Sequence, residues 1–386
     1  MLKHYQVFKK KSVAVLMGCA LLPAAALWSV GAQAVTAVYV SAATDGVIDA
    51  YTLNTQSGEL TATGKAAAGA KVMPMAVSPD KSFLYAATRG IPYSAVSYKI
   101  DPKSGALSPL GKAELPDSMA YISTDRTRKW LFSASYGGNK VAVNGIDKDG
   151  KVNASAVTVV PTGEKAHSII ADRKNKFVFA SNLGSDQIVQ FRFDAKTGTL
   201  TPNEPAEIKL PKGNGPRHLV LSPDNKTLYV SNELSGKVAR LALNENTGQL
   251  TLLDYTDTVP ADAGMRAGTV TPDKNSTDSR PQIWSADLRL TPNGKFLYVS
   301  ERTKSTIALL RVEPKTGQLQ YITRYPTETQ PRGIQIDPSG KFLIASGEKS
   351  TSLSVYRINQ GNGDLVRVGQ YPTGKGANWV EIVNLP

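Results

Sequence analysis

Arg217, His218 and Glu233 frame one short stretch of the chain, GPRHLVLSPDNKTLYVSNE (215–233). Together they form a small kit for ester chemistry. A carboxylate or an imidazole takes a proton from water, and a guanidinium donates forked hydrogen bonds to a carboxylate or to charge developing on a carbonyl oxygen. The residues between them are ordinary. LVLS and TLYVS read as apolar, β-branched strands, and PDN supplies the turn. In an antiparallel pair the first residue of one strand and the last of the next lie side by side. A hairpin here therefore makes Arg217 and Glu233 neighbours at the end opposite the turn.

The elements that position them repeat along the chain. AVSPDKSFLYAATR (76–89), ISTDRTRKWLFSASY (122–136), IIADRKNKFVFASNL (169–183), LRLTPNGKFLYVSER (288–302) and IQIDPSGKFLIASGE (334–348) carry the same pattern. Aligned on Tyr85, Phe132, Phe179, Tyr229, Tyr298 and Ile344, they advance by 47, 47, 50, 69 and 46 residues. A second landmark keeps pace: SGEL (57–60), SGAL (104–107), DGKV (149–152), TGTL (197–200), TGQL (247–250), TGQL (316–319) and NGDL (362–365). Each lies between two further short strands, so one repeat holds about four strands, the signature of a propeller blade. The expected fold is all-β, a seven-bladed β-propeller of four-stranded blades. Its ends suggest how it closes. AVYVS (37–41) matches a second strand and NWVEIV (378–383) a first strand, so the C-terminal strand completes the blade that the N-terminus begins and leaves no unpaired edge inside the ring. The long step contains VPADAGMRAGTVTPDKNSTDSRPQIW (259–284), an insertion into blade six expected on the functional face as a candidate lid.

The alignment defines two equivalent positions per blade. Twelve residues before each anchor, at the opening of the hairpin, stand Met73, Ala120, His167, Arg217, Ala286 and Arg332; four after it, at the close, stand Arg89, Tyr136, Leu183, Glu233, Arg302 and Glu348, with Ala43 in blade one. His167 and His218 are the only histidines outside the N-terminal segment, and they occupy an opening position and the position after one, where blade six has Asp287. A propeller points all these ends at one face of its channel. The rival explanation is a ring of ion pairs that merely plugs a polar channel. A metal site from His167, His218, Glu233 and Asp287 is weighed against Arg217, Arg302 and Arg332 in the same ring, which repel a cation, and no metal or other cofactor is expected. There is no Gly-x-Ser-x-Gly elbow for a nucleophilic serine.

The N-terminus reads as an address. MLKHYQVFKKK is basic, SVAVLMGCALLPAAALWSV is apolar and AQA (32–34) is a small-residue cleavage site, so residues 1–34 are expected to be a signal peptide cleaved after Ala34, leaving 35–386 as the propeller domain in the periplasm. Cys19, the only cysteine, would leave with it, and with it any thiol nucleophile or disulfide. The formal charge of +13 includes Lys3, Lys9, Lys10 and Lys11 of that segment. What remains fits a small anionic ligand or simply a solvated surface. Basic residues are not interleaved with aromatics, which argues against nucleic acid. No run of membrane-spanning length follows residue 34, and the sequence leaves protein partners open.

With these residues the chain closely resembles the seven-bladed lactonase family of bacterial 6-phosphogluconolactonases and fungal carboxymuconate lactonising enzymes. The resemblance covers nearly all of 35–386 and is strongest in KVMPMAVSPDKSFLYAATR, GPRHLVLSP, VSNELSG, SADLRLTPNGKFLYVSERT and PTETQPRGIQIDPSGKFLIASGEKS. It implies a metal-independent site on one face of the channel, with catalytic roles at His167, Arg217, Glu233 and Arg302. His218, Asp287, Arg332, Tyr136, Arg89 and Glu348 are then expected to bind substrate. The leader departs from the family pattern, because a sugar phosphate lactone is a cytosolic compound whereas periplasmic aldose oxidation yields unphosphorylated aldonolactones. The leading expectation is a periplasmic gluconolactonase that hydrolyses D-glucono-1,5-lactone to gluconate, with Glu233 as general base, His167 orienting or sharing the proton, and Arg217 and Arg302 stabilising the oxyanion and the product carboxylate. A 6-phosphogluconolactonase, a muconate-type cycloisomerase and a non-catalytic binding propeller stand as alternatives.

Overall fold

The computed structural model describes residues 1–11, 34–271 and 276–386. It separates into two units, Met1–Gln33 and Ala34–Pro386. The apolar part of the expected signal peptide lies outside the described residues. Among those described, no helix is long and apolar enough to cross a membrane.

Residues 34–386 form seven four-stranded antiparallel sheets. Blade one joins Thr36–Ala42, Val47–Leu53 and Leu60–Ala67 to the C-terminal strand Ala377–Asn384, which pairs with Thr36–Ala42 from Thr36↔Asn384 to Ala42↔Ala377. The expected closure is therefore present, and the chain's two ends share one sheet. First strands of successive blades contact one another all the way round and line the axis. The anchors are in register: Tyr229 pairs with Val220, Tyr298 with Arg289, Ile344 with Gln335 and Tyr39 with Glu381.

The two sequence landmarks exist because each blade must grip the next. At the second landmark the glycine adopts a left-handed conformation and sits against the second strand of the preceding blade. Gly317 has φ +71 and a Cβ there would fall 2.9 Å from the Tyr229 hydroxyl; at Gly363, φ +82, it would fall 2.5 Å from Phe296. Only glycine takes both the φ and the close approach. The anchor tyrosines complete the grip: Tyr39, Tyr229 and Tyr298 donate to the carbonyls of Gly105, Gly317 and Gly363 at 2.7, 2.7 and 2.6 Å. Each buried aromatic ring at these junctions contributes roughly 1.5–3 kcal/mol by leaving water.

The first strands are not regular. Register shifts by one residue between Pro216 and Leu219, between Ser285 and Leu288, between Ala166 and Ser168 and between Pro331 and Gly333. These are β-bulges, and a bulge breaks the alternation of side chains, so neighbouring residues aim at one place. A serine in the second strand takes up the backbone groups that the bulge strands. Ser231 Oγ accepts from His218 N–H at 3.2 Å and donates to the Ala286 carbonyl of the next blade at 3.1 Å; Ser181 accepts from Ser168 N–H at 3.1 Å and donates to the Arg217 carbonyl at 2.6 Å. The serine in YVSN and FASN thus satisfies the kink and ties adjacent blades.

Candidate active site

Opening and closing positions of blades two to seven meet at one mouth of the channel. A cavity of about 630 Å³ there is lined by His167, Glu233, Arg302, Arg332, Arg89 and Tyr136, together with Ala120 and the insertion. Glu348 and Arg89 face an adjoining space of about 480 Å³ with Lys71, Tyr93 and Ser118. Arg217, His218 and Asp287 are not in the wall. They lie beneath it, 1%, 2% and 1% exposed. All ten residues expected from the sequence are accordingly gathered at one end of the channel, but in two layers.

Glu233 is the centre of the upper layer. Its Oε2 accepts from Arg217 Nε at 2.8 Å and from Arg302 Nη2 at 2.7 Å, and its Oε1 accepts from the Trp284 indole N–H at 2.9 Å. Burial opposes its charge, but the guanidiniums of Arg302, Arg217 and Arg332 and the indole outweigh that and hold it below the usual carboxylate range. Glu233 is ionised at neutral pH, and Oε1 keeps a lone pair for a further donor. Arg302 is fixed from three sides. It donates from Nε to the Trp284 carbonyl at 3.1 Å, donates from Nη2 to the Ser285 carbonyl at 3.3 Å, and stacks its Cζ 3.7 Å from the Trp284 ring centroid. Such stacking suits arginine's flat, weakly hydrated head.

His167 differs from its neighbours in having nothing to hold. Among the described residues its buried Nδ1 has no hydrogen-bond partner, and its ring meets Tyr136 edge-on at 5.8 Å and His218 at 5.3 Å. Burial, then Arg217 and His218, push its pKa well below 6.5, so the ring is neutral and free to accept. Tyr136 is pushed up by burial and by Glu233 and remains a phenol.

Two arginines keep donors for a guest. Arg332 reaches Glu348 through Nη1 at 3.2 Å, and Arg89 donates from Nε to Ser118 at 2.8 Å. Burial and the nearby Arg332 lower Arg89. Among the described residues neither Arg89 nor Lys71 forms an ion pair. Glu233, Asp287 and His218 are turned to donors, and no group of three or more His, Cys, Asp or Glu side chains converges among the described residues.

The insertion supplies what register could not foretell. Arg266, Val270, Arg280, Gln282 and Trp284 line the cavity. The segment is pinned by Gly268 N–H on the Leu234 carbonyl at 2.8 Å and by Ile283 N–H on the Arg266 carbonyl at 2.8 Å. Repeat alignment cannot place residues that belong to one blade only. Trp284 had a faint signal: it stands two residues before the opening position Ala286.

Known proteins share this architecture. The sequence model of the family described as "Lactonase, 7-bladed beta-propeller" matches residues 37–382. The 6-phosphogluconolactonases of Serratia proteamaculans and Cronobacter sakazakii are 38% and 37% identical over 299 residues, 78% of this chain and 84% of theirs. The solved structure of a Pseudomonas aeruginosa periplasmic gluconolactonase superposes with a TM-score of 0.80 at 25% identity, covering 91% of this chain and all of that one.

Proposed function

The chain belongs to the seven-bladed β-propeller lactonase family, and from that premise we propose that it hydrolyses D-glucono-1,5-lactone to gluconate in the periplasm, with Glu233 and His167 handling the proton of the attacking water. The supporting observation is the ionised Glu233, clamped by two guanidiniums yet open to the cavity, beside a neutral His167 with no partner of its own.

Water held by Glu233 Oε1 and the His167 ring attacks the lactone carbonyl carbon. Its proton passes to Glu233, a C–O bond forms, and the carbonyl becomes an oxyanion. Arg332 and Arg89, which keep unspent N–H groups, stabilise that charge, while Arg217 and Arg302 fix the base. This shifts the oxyanion role from the pair expected from sequence to the pair whose donors are free. Collapse breaks the ring C–O bond, the proton passes to the departing ring oxygen, and the hydroxy acid ionises. A positioned base typically adds about 10²–10⁴ in rate and an oxyanion donor about 10²–10³, enough for an ester already prone to hydrolysis. The location rests on the basic-apolar-AQA leader and on the periplasmic relative.

One observation favours a second substrate. The adjoining space carries Lys71 and Arg89, which form no ion pair among the described residues, while the carboxylate in its lining, Glu348, is taken by Arg332; that leaves a cradle for a remote phosphate, and the relatives at 36–38% identity are named 6-phosphogluconolactonases. A pH-stat assay on purified protein with both lactones decides. The expected result is hydrolysis of glucono-lactone well above buffer, lost in Glu233→Gln and His167→Ala and unaffected by chelator. Rates equal to buffer for both lactones would sink the lactonase reading, and a strong preference for the phosphorylated ester would transfer it to the second substrate.

A further inference from the structure

Beneath the cavity lies a buried chain of hydrogen bonds that the proposed reaction leaves unused. Arg217 bonds Glu233 through Nε, and its Nη1 lies 3.0 Å from His218 Nε2. His218 Nδ1 in turn lies 2.7 Å from Asp287 Oδ1. Asp287 meets only donors otherwise: Leu288 N–H on Oδ1 at 2.9 Å, Ile334 N–H on Oδ2 at 3.1 Å, and Arg289 Nη2 at 3.2 Å from Oδ2.

The direction of every bond in this chain follows from one fact. A guanidinium has no acceptor, so at the Arg217 contact His218 Nε2 has to accept. The single proton of a neutral imidazole is then on Nδ1 and is donated to Asp287. Burial, Arg217 and Arg289 all disfavour a second proton on this ring. Protonating Nε2 would set N–H against N–H and push Arg217 away from Glu233. The other groups around the ring are Tyr121, edge-on at 5.1 Å, His167 at 5.3 Å and Trp379 at 5.7 Å, and none competes for either nitrogen.

We propose that Asp287 and His218 are positioning residues: the buried carboxylate fixes His218 as the Nδ1–H tautomer, and its Nε2 lone pair holds Arg217 in the orientation that clamps Glu233. Neither touches substrate. The device spans three blades, since Arg217, His218 and Glu233 come from blade five, Asp287 from blade six and the Ile334 N–H from blade seven. A carboxylate–imidazole pair serving a guanidinium, instead of serving the reacting atoms, uses familiar parts for orientation alone. Its catalytic consequence rests on Glu233 being the base; its hydrogen-bond polarity does not.

The test has one arm for each part. In full-length protein labelled with ¹⁵N-histidine, only His4, His167 and His218 contribute imidazole signals, and His167→Gln assigns them. The expected His218 spectrum is a neutral ring protonated on Nδ1 and unchanged from pH 8 to pH 6. A neutral ring protonated on Nε2, or a cationic ring at neutral pH, overturns the proposal whatever the enzyme does. In the kinetic arm, His218→Ala and Asp287→Asn should lower kcat about 10–100-fold, the effect typical of lost orienting partners, with KM within threefold. They should also move the acid limb of kcat/KM to higher pH, because Glu233 loses part of its guanidinium support. His218→Gln, whose amide can accept from Arg217 and donate to Asp287, should restore both. An unchanged acid limb and kcat in a folded His218→Ala enzyme overturns the proposal. Full activity in Glu233→Gln would instead refute the base assignment and the catalytic half of the proposal, while the tautomer spectrum would still decide whether the hydrogen-bond device exists.

Discussion

Blades four to seven and blades one to three share one backbone and carry opposite chemistry. In the first group the opening positions and those after them hold His167, Arg217, His218, Asp287 and Arg332; in the second they hold Met73, Pro74, Ala120, Tyr121 and, on the C-terminal strand, Asn378 and Trp379. Bulges occur in both groups, between Val72 and Met75 as between Pro216 and Leu219, so the scaffold aims side chains at the axis everywhere. Asn378 spends its amide on the backbone carbonyls of Gly376, Val72 and Ser41 and its oxygen on Ser41 Oγ. At the opening stations one side of the ring supplies charge and the other supplies neutral side chains and tight joints, with Arg89 and Lys71 of blade two adding charge outside those stations. Circular repetition thus makes seven equivalent stations that differ in the side chains they present.

The strongest way to break this comparison is to cut the same station on both sides. His167→Ala is expected to lower kcat by about 10²–10⁴, while Met73→Ala stays within threefold; equal losses would mean that the stations contribute through packing. Next in size, Arg302→Met removes one of two guanidiniums from a carboxylate that is nearly out of water. Breaking a buried pair on one side costs about 3–5 kcal/mol, so a melt should show a drop of several degrees and the acid limb of kcat/KM should rise. An Arg302→Met protein that melts like wild type would show that water screens the pair in solution.

A smaller effect tests the exception inside the second group, blade two, where Arg89 and Lys71 lie. Arg89→Ala and Lys71→Ala should reduce kcat/KM for a phosphorylated lactone by about tenfold each, roughly one lost charge-assisted hydrogen bond. If Lys71→Ala affects both lactones equally, the adjoining space is not a phosphate cradle. The smallest effect is on stability against pH. In the folded chain His167 and His218 stay neutral well below 6.5, whereas the unfolded chain binds protons at the ordinary value near 6.5. Stability therefore falls as pH drops below about 6.5, by about 1 kcal/mol per pH unit for each ring, until the folded-state values are reached. Glu233, held below the carboxylate range, adds its loss only below its unfolded value near 4.5. Melting curves from pH 7.5 to pH 5 should slope less in His167→Gln/His218→Gln; identical slopes would place the proton uptake elsewhere.

Much of this was legible along the chain because repetition amplifies weak signals. One hairpin with a Tyr–Val–Ser strand says little, but six in step with a glycine landmark define a ring, and a ring gathers residues 167, 217, 233, 302 and 332 that no local window connects. The insertion was legible only as an interruption: Arg266, Arg280 and Trp284 have no counterpart in other blades to fix their register. Layering was not legible at all. Arg217, Glu233, His218 and Asp287 look alike as polar residues at hairpin ends, yet one carboxylate faces a cavity and the other is sealed under it.

The sequence by itself determined the number of blades, the closure and the identities present at each station, because strand period and repeat length are properties of the chain order. Only the tertiary structure decided which polar groups face a guest and which face one another. That choice depends on one-residue bulges and on hydroxyls from the neighbouring strand and blade, and a kink that turns two adjacent side chains to the same side leaves no mark in the alternation of residues.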